Sequence, residues 1–109
     1  MARKLNLSID QGTTFSYTIY LNDSNGSPQD LSDFTGRAQL RKSYGSTSYT
    51  AFTVLVGGAA GTVTVSLTAT QTAALKSGRY VYDIEMVNVN NTVSRLAEGI
   101  VTVNPEVTR

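Results

Sequence analysis

A period of two runs through almost the whole chain and constrains the fold more than any other feature. Leu5, Leu7 and Ile9 alternate with Asn6 and Ser8, and Phe15, Tyr17, Ile19 and Leu21 alternate with Ser16, Thr18, Tyr20 and Asn22. Successive side chains of a strand point to opposite faces, so this pattern describes strands with one buried and one wet face. Ala38 and Leu40 oppose Arg37, Gln39 and Arg41, residues 49–56 form a further strand, and Val63, Val65 and Leu67 oppose Thr62, Thr64 and Ser66. Tyr80, Tyr82, Ile84 and Met86 then oppose Val81, Asp83, Glu85 and Val87, and a last strand runs from Thr92 to Val103 with a bulge expected at Gly99. Turn chemistry separates these runs at residues 10–12, 23–28, 42–46, 57–61 and 88–91. Leu31 and Phe34 are expected to plug one end of the core. Residues 69–76 alone have helical character, with Gly78 expected to stop them.

About seven strands with regular turn signals predict an all-β chain, an antiparallel β-sandwich with one short helical turn near 69–76. Leu75, Lys76, Ser77, Gly78, Arg79 and Tyr80 sharpen the topology, because they place a tyrosine at the start of a strand just after a compact corner. In immunoglobulin-like sandwiches such a tyrosine returns its hydroxyl to upstream backbone and locks the crossover. Tyr80 is either that lock or an ordinary core tyrosine. Both make Tyr80, with Gly78 and Leu75, structural, and the expected fold is an immunoglobulin-like sandwich. A length of 109 residues fits one domain, 1–109.

Composition argues against an enzyme. There is no cysteine and no histidine, which removes thiolate nucleophiles, disulfides, the commonest general base and the commonest metal ligands. Asp83 and Glu85 share a strand face roughly 7 Å apart, and they read as partners for Arg37, Arg41 or Arg95 across strands rather than as an acid–base pair. Asp23, Ser24, Asn25 and Gly26 resemble the opening of a calcium loop, but Phe34 stands where the closing glutamate belongs. The glycines of residues 57–61 lack the Lys-Ser/Thr of a phosphate cradle, and no Gly-x-Ser-x-Gly elbow occurs. No catalytic residue, cofactor site or metal site is expected.

Nine basic and eight acidic residues give a net charge of +1, so no global field draws nucleic acid or an anionic membrane. Arg37, Arg41 and Lys42 form the local basic cluster, either a solvated strand face or a phosphate-binding patch. The basic start of the chain has no apolar run after it, and no stretch approaches the roughly 20 apolar residues of a membrane span. Folding in a cytoplasm is therefore expected. A binding module is what remains, with Tyr20, Arg41, Lys42, Tyr44 and Tyr49 as candidate contact residues. Residues 1–4 and 106–109 read as arms that order on docking.

The order of motifs also carries a resemblance. Ile9-Asp10-Gln11-Gly12, then Asn22-Asp23-Ser24-Asn25-Gly26-Ser27-Pro28 and Asp30-Leu31-Ser32, are followed by Arg41-Lys42-Ser43-Tyr44-Gly45-Ser46. Leu67-Thr68-Ala69-Thr70-Gln71-Thr72-Ala73-Ala74-Leu75, Gly78-Arg79-Tyr80-Val81-Tyr82-Asp83 and Glu98-Gly99-Ile100-Val101-Thr102-Val103 complete the run. Together they resemble a small tailed-bacteriophage virion β-sandwich domain, similar to the N-terminal domain of phage upper baseplate proteins. The resemblance implies a non-enzymatic docking or adaptor module of a baseplate or tail, assembled in the host cytoplasm. It implies other virion proteins as partners, multiple copies in a symmetric assembly, and neither nucleic acid nor membrane. No linker, coiled coil or receptor-binding tip follows the matched run, which makes capsid decoration the alternative role. A carbohydrate-binding module is a further alternative, and it would need coplanar exposed tyrosines.

Overall fold

The computed structural model describes residues 3–107. Its strands are β1 (Arg3–Lys4), β2 (Leu7–Asp10), β3 (Phe15–Tyr20), β4 (Thr35–Arg41), β5 (Thr50–Ala51), β6 (Thr53–Val56), β7 (Thr62–Leu67), β8 (Gly78–Val87) and β9 (Val93–Asn104), with a 3-10 turn at Gly58–Ala60 and one α-helix, α1 (Ala69–Ala73). Two sheets face each other as a sandwich. The larger runs β1-β9-β8-β4-β5 with β2 also on β9, and the smaller runs β3-β7-β6. The inward positions of both sheets meet in one core, where Ile9, Ile19, Leu40, Val63, Val65, Leu67, Ile84, Val101 and Val103 are almost wholly buried. Of these, Ile9, Ile19, Leu40, Val63, Val65, Leu67 and Ile84 are residues that the alternation assigned to one face of their strands.

Two expected strands are each broken, for different reasons. The first divides at Leu5 and Asn6, and both halves lie parallel to β9, so the larger sheet is antiparallel except at its N-terminal edge. Here the Leu5 carbonyl turns inward and accepts the buried Tyr82 hydroxyl. It occupies the space beneath Gly99, where a Cβ would fall on the Leu5 carbonyl itself. Asn6 repairs the interrupted ladder by accepting the Ile100 N–H on its side chain at 3.1 Å. Gly99 is therefore required for close approach, and the bulge expected there lies elsewhere. Ile84 faces Ala97 while Glu85 faces Arg95, which leaves Leu96 as the extra residue. Burial, and to a lesser degree the nearby Tyr17, pushes the Tyr82 phenol up to about 12, so it stays neutral as a donor.

The strand expected over 49–56 changes sheets. β5 pairs with β4 in the larger sheet and β6 pairs with β7 in the smaller, with Phe52 between them. The buried Phe52 ring sits 6.2 Å from Phe15 and meets Tyr82 edge-on at 6.3 Å. Its apolar payload holds the crossing point inside the core. Counted as sequence runs, β1 with β2 and β5 with β6 restore the expected seven from nine segments.

Local chemistry also explains α1. Thr68 accepts the Gln71 N–H and Gln71 accepts the Thr68 N–H, a reciprocal capping box. The helix ends at Ala74, earlier than the expected stop at Gly78, which instead opens β8 with φ of +133°. The buried Thr72 hydroxyl donates to the Thr13 carbonyl at 2.7 Å, and Gln11 donates to the Leu75 carbonyl at 2.7 Å. Leu31 is buried and Phe34 packs against the core, as expected of an end plug. Arg3 and Lys4 belong to β1 rather than to a free arm, and residues 1–2 and 108–109 of the expected arms lie outside the described residues.

Tyr80 is the corner tyrosine. Its hydroxyl donates to the Lys76 carbonyl at 2.7 Å, across the loop that joins α1 to β8. Tyr80→Phe removes this bond and leaves the carbonyl with a lost partner. The expected cost is about 1 kcal/mol, read as a lower midpoint in urea denaturation. An unchanged midpoint would contradict the lock.

Candidate functional site

The strand order puts β4 beside β8, and their alternation does the rest. Arg37 faces Glu85, Gln39 faces Asp83 and Arg41 faces Val81 across the pair, all on the outer side of the larger sheet. Tyr44, from the loop after β4, overhangs this surface and is 82% exposed. A groove of about 420 Å³ lies between them. Its floor carries a row of donors from β4 and a row of carboxylates from β8.

These charges are paired in a ladder. Arg37 Nε lies 2.8 Å from Glu85 Oε1, and Arg95 reaches Asp83 at 3.5 Å and Glu98 at 3.7 Å. Lys4 approaches Glu98 at 3.6 Å. Asp83 and Glu98 stand directly opposite each other on β8 and β9, a like-charge pair that Arg95 bridges. Partial burial, then Glu85 and Glu98, raises the Asp83 carboxyl above its ordinary range despite the opposing arginines. Arg37 and Arg95 thus pair with Glu85 and Asp83 as the sequence suggested, whereas Arg41 turns elsewhere.

Arg41 props up the adjoining loop. It donates to the Ser46 carbonyl at 2.6 Å and to Gln39 Oε1 at 3.0 Å, and its guanidinium lies 5.0 Å from the centre of the Tyr49 ring. Lys42 places its ammonium 4.8 Å over the Tyr80 ring. Gly78 gives it room, since a Cβ there would stand 2.9 Å from Lys42 Nζ. A second cleft, of about 210 Å³, opens between this loop and the corner after α1, lined by Arg41, Lys42, Tyr49, Lys76 and Tyr80 among others. Arg41 lines both depressions.

Four of the five candidate contact residues, Arg41, Lys42, Tyr44 and Tyr49, therefore gather around one loop. Tyr20 does not join them. It is exposed at the far end of β3 on the other sheet. Gln39, Val81 and Lys76 also line the two depressions but were not singled out from sequence. The outward phase of β4 and β8 marked the first two as exposed, yet nothing local pairs those strands. Lys76 comes near Lys42 only through the corner.

Chemically, the surface offers guanidinium, ammonium, amide, carboxylate and phenol groups for recognition. Among the described residues, no three His, Cys, Asp or Glu side chains gather as metal ligands.

No family model matches the chain, and no curated protein matches it. Among solved structures, an internalin-like protein of Listeria monocytogenes is similar over 94% of this chain, at 16% identity and a TM-score of 0.49. The chain spans 28% of that protein's length.

The raised Asp83 carboxyl has a defined consequence for stability. Between the ordinary carboxylate range and its own raised value, the folded chain holds a proton that the unfolded chain has lost, so stability falls as pH rises through that window. Asp83→Asn is expected to raise the melting temperature at neutral pH, and the gap from the wild type is expected to close on acidification. A variant less stable at neutral pH, or a gap independent of pH, would contradict this reading.

Proposed function

We propose that this chain is a non-enzymatic structural protein of a tailed-phage virion, a small docking module of the baseplate or tail. The observation that carries the docking role is the meeting of the groove and the cleft at one loop. There Arg41, Lys42, Tyr44 and Tyr49 stand together at the end of β4 and along the loop that follows it. Exposed tyrosines beside an arginine already held by Ser46 and Gln39 suit a protein partner, because tyrosine and arginine are enriched at such contacts. The virion assignment rests on the run of sequence motifs from Ile9 to Val103.

The contact of Arg41 on Tyr49 supports a protein partner over a sugar. A carbohydrate platform needs coplanar exposed rings, and Tyr49 already has the Arg41 guanidinium against it. Tyr44 overhangs the groove from the same loop.

Purified particles, separated into heads and tails and quantified by peptide mass spectrometry against the major capsid protein, test the proposal. Copies in small multiples of three or six in the tail fraction are expected. Hundreds of copies following the head would replace the baseplate or tail role with capsid decoration. Absence from both fractions would end the virion reading.

A further inference from the structure

Among the charges that the ladder leaves over, three cations of one cleft and a group of aspartates stand at opposite ends of the sandwich. The registers place the end of β4, the start of β8, the end of β7 and α1 at one end, and the starts of β4, β7 and β9 at the other. The molecule is 45 Å along its longest dimension. At the first end, Arg41, Lys42 and Lys76 line the second cleft together with Ser46, Ser48 and Thr50, and no carboxylate lines it. None of the three cations forms an ion pair among the described residues. The two carboxylates nearest this end, Asp10 and Glu106, do not line the cleft. Asp10 accepts from Asn104 at 3.0 Å, and Glu106 lies over Gly12.

The opposite end is the reverse. Residues 21–34 bring Asp23, Asp30 and Asp33 and no lysine or arginine, while residues 57–61 and 88–92 bring no charge. The fully exposed Asp30 carboxyl is held below its ordinary range by hydrogen bonds from the Ser32 hydroxyl and N–H, so it stays ionised. These loops pack together, with Leu31 N–H donating to the Gly58 carbonyl at 2.9 Å.

We infer that the Arg41–Lys42–Lys76 cleft receives the Asp30–Asp33 end of a second copy of this chain, in a head-to-tail contact. A heterologous contact of this kind closes into a ring or propagates as a filament according to its rotation. The inference concerns the free chain and does not depend on which particle the chain serves. Exposed ion pairs are individually weak and screened by salt, so an isolated contact is expected to be weak, with a dissociation constant of about 1 mM, and to gain strength through repetition.

Sedimentation velocity at low ionic strength, over protein concentrations rising to about 1 mM, is the test. The wild type is expected to associate with increasing concentration and to return to monomer on adding salt. Lys42→Glu/Lys76→Glu and Asp30→Lys/Asp33→Lys are each expected to weaken association about tenfold or more. An equimolar mixture of the two is expected to restore it, because each reversed end then meets its complement. If either pair fails to fold, single-cysteine variants serve, since the chain has no cysteine of its own. Lys42→Cys mixed in equal amount with Asp33→Cys is expected to give oxidised heterodimer well beyond the roughly twofold excess over either homodimer that random pairing produces, and a ratio no higher than random would overturn the contact. A wild type monomeric throughout, association indifferent to both reversals, or a mixture that stays monomeric would overturn the inference. So would a monomeric wild type that binds a sulfated polysaccharide through Lys42 and Lys76, which would assign the cleft to a polyanion.

Discussion

The Tyr80 hydroxyl bound to the Lys76 carbonyl is the contact on which the rest of the arrangement depends. A phenol at this depth needs an acceptor, and the corner between α1 and β8 supplies one. Once the corner is fixed, β8 has a defined start and phase. Tyr82, Ile84 and Met86 follow Tyr80 into the core, while Val81, Asp83 and Glu85 face outward. The same corner sets Gly78 and Lys76 beside Lys42, so one half-buried hydrogen bond positions both the outer face of the sheet and the cleft at its end.

A second buried phenol closes the far side of the larger sheet. Tyr82 draws the Leu5 carbonyl inward over Gly99, and the N-terminal strand must break to supply it. The broken strand still continues the sheet, because Asn6 returns the missing ladder bond and the two halves keep register with β9. The interior is thereby satisfied at two points where alternating apolar residues alone would leave polar atoms without partners. Among the described residues, no buried side-chain nitrogen or oxygen lacks a hydrogen bond.

Much of this was legible in the sequence. Side-chain period two is a local property, so the inward residues of β3, β7 and β8 could be read directly, as could a structural role for Tyr80 and the pairing of Asp83 and Glu85 with arginines across strands. The breaks could not. Whether residues 49–56 stay in one sheet depends on Phe52 finding Phe15 and Tyr82 across the core, and those contacts are invisible to local pattern. Gly99 was read as a bulge because glycine inside a strand commonly marks one. Its actual role depends on Leu5, far away in sequence, and the bulge falls at Leu96, where nothing in the local sequence marks it. The candidate site divides in the same way. Arg41, Lys42, Tyr44 and Tyr49 are neighbours in sequence and were found together, whereas Lys76 enters through tertiary structure alone.

The proposed docking role places the chain's contact with its particle at one end and one face. Hydrogen–deuterium exchange of the chain in assembled particles, compared with the free chain, tests this most directly. Added protection concentrated in residues 41–49 and 74–80 is the predicted result. Protection confined to β3 and the Tyr20 end, with the loop after β4 exchanging as freely as in isolation, would contradict it.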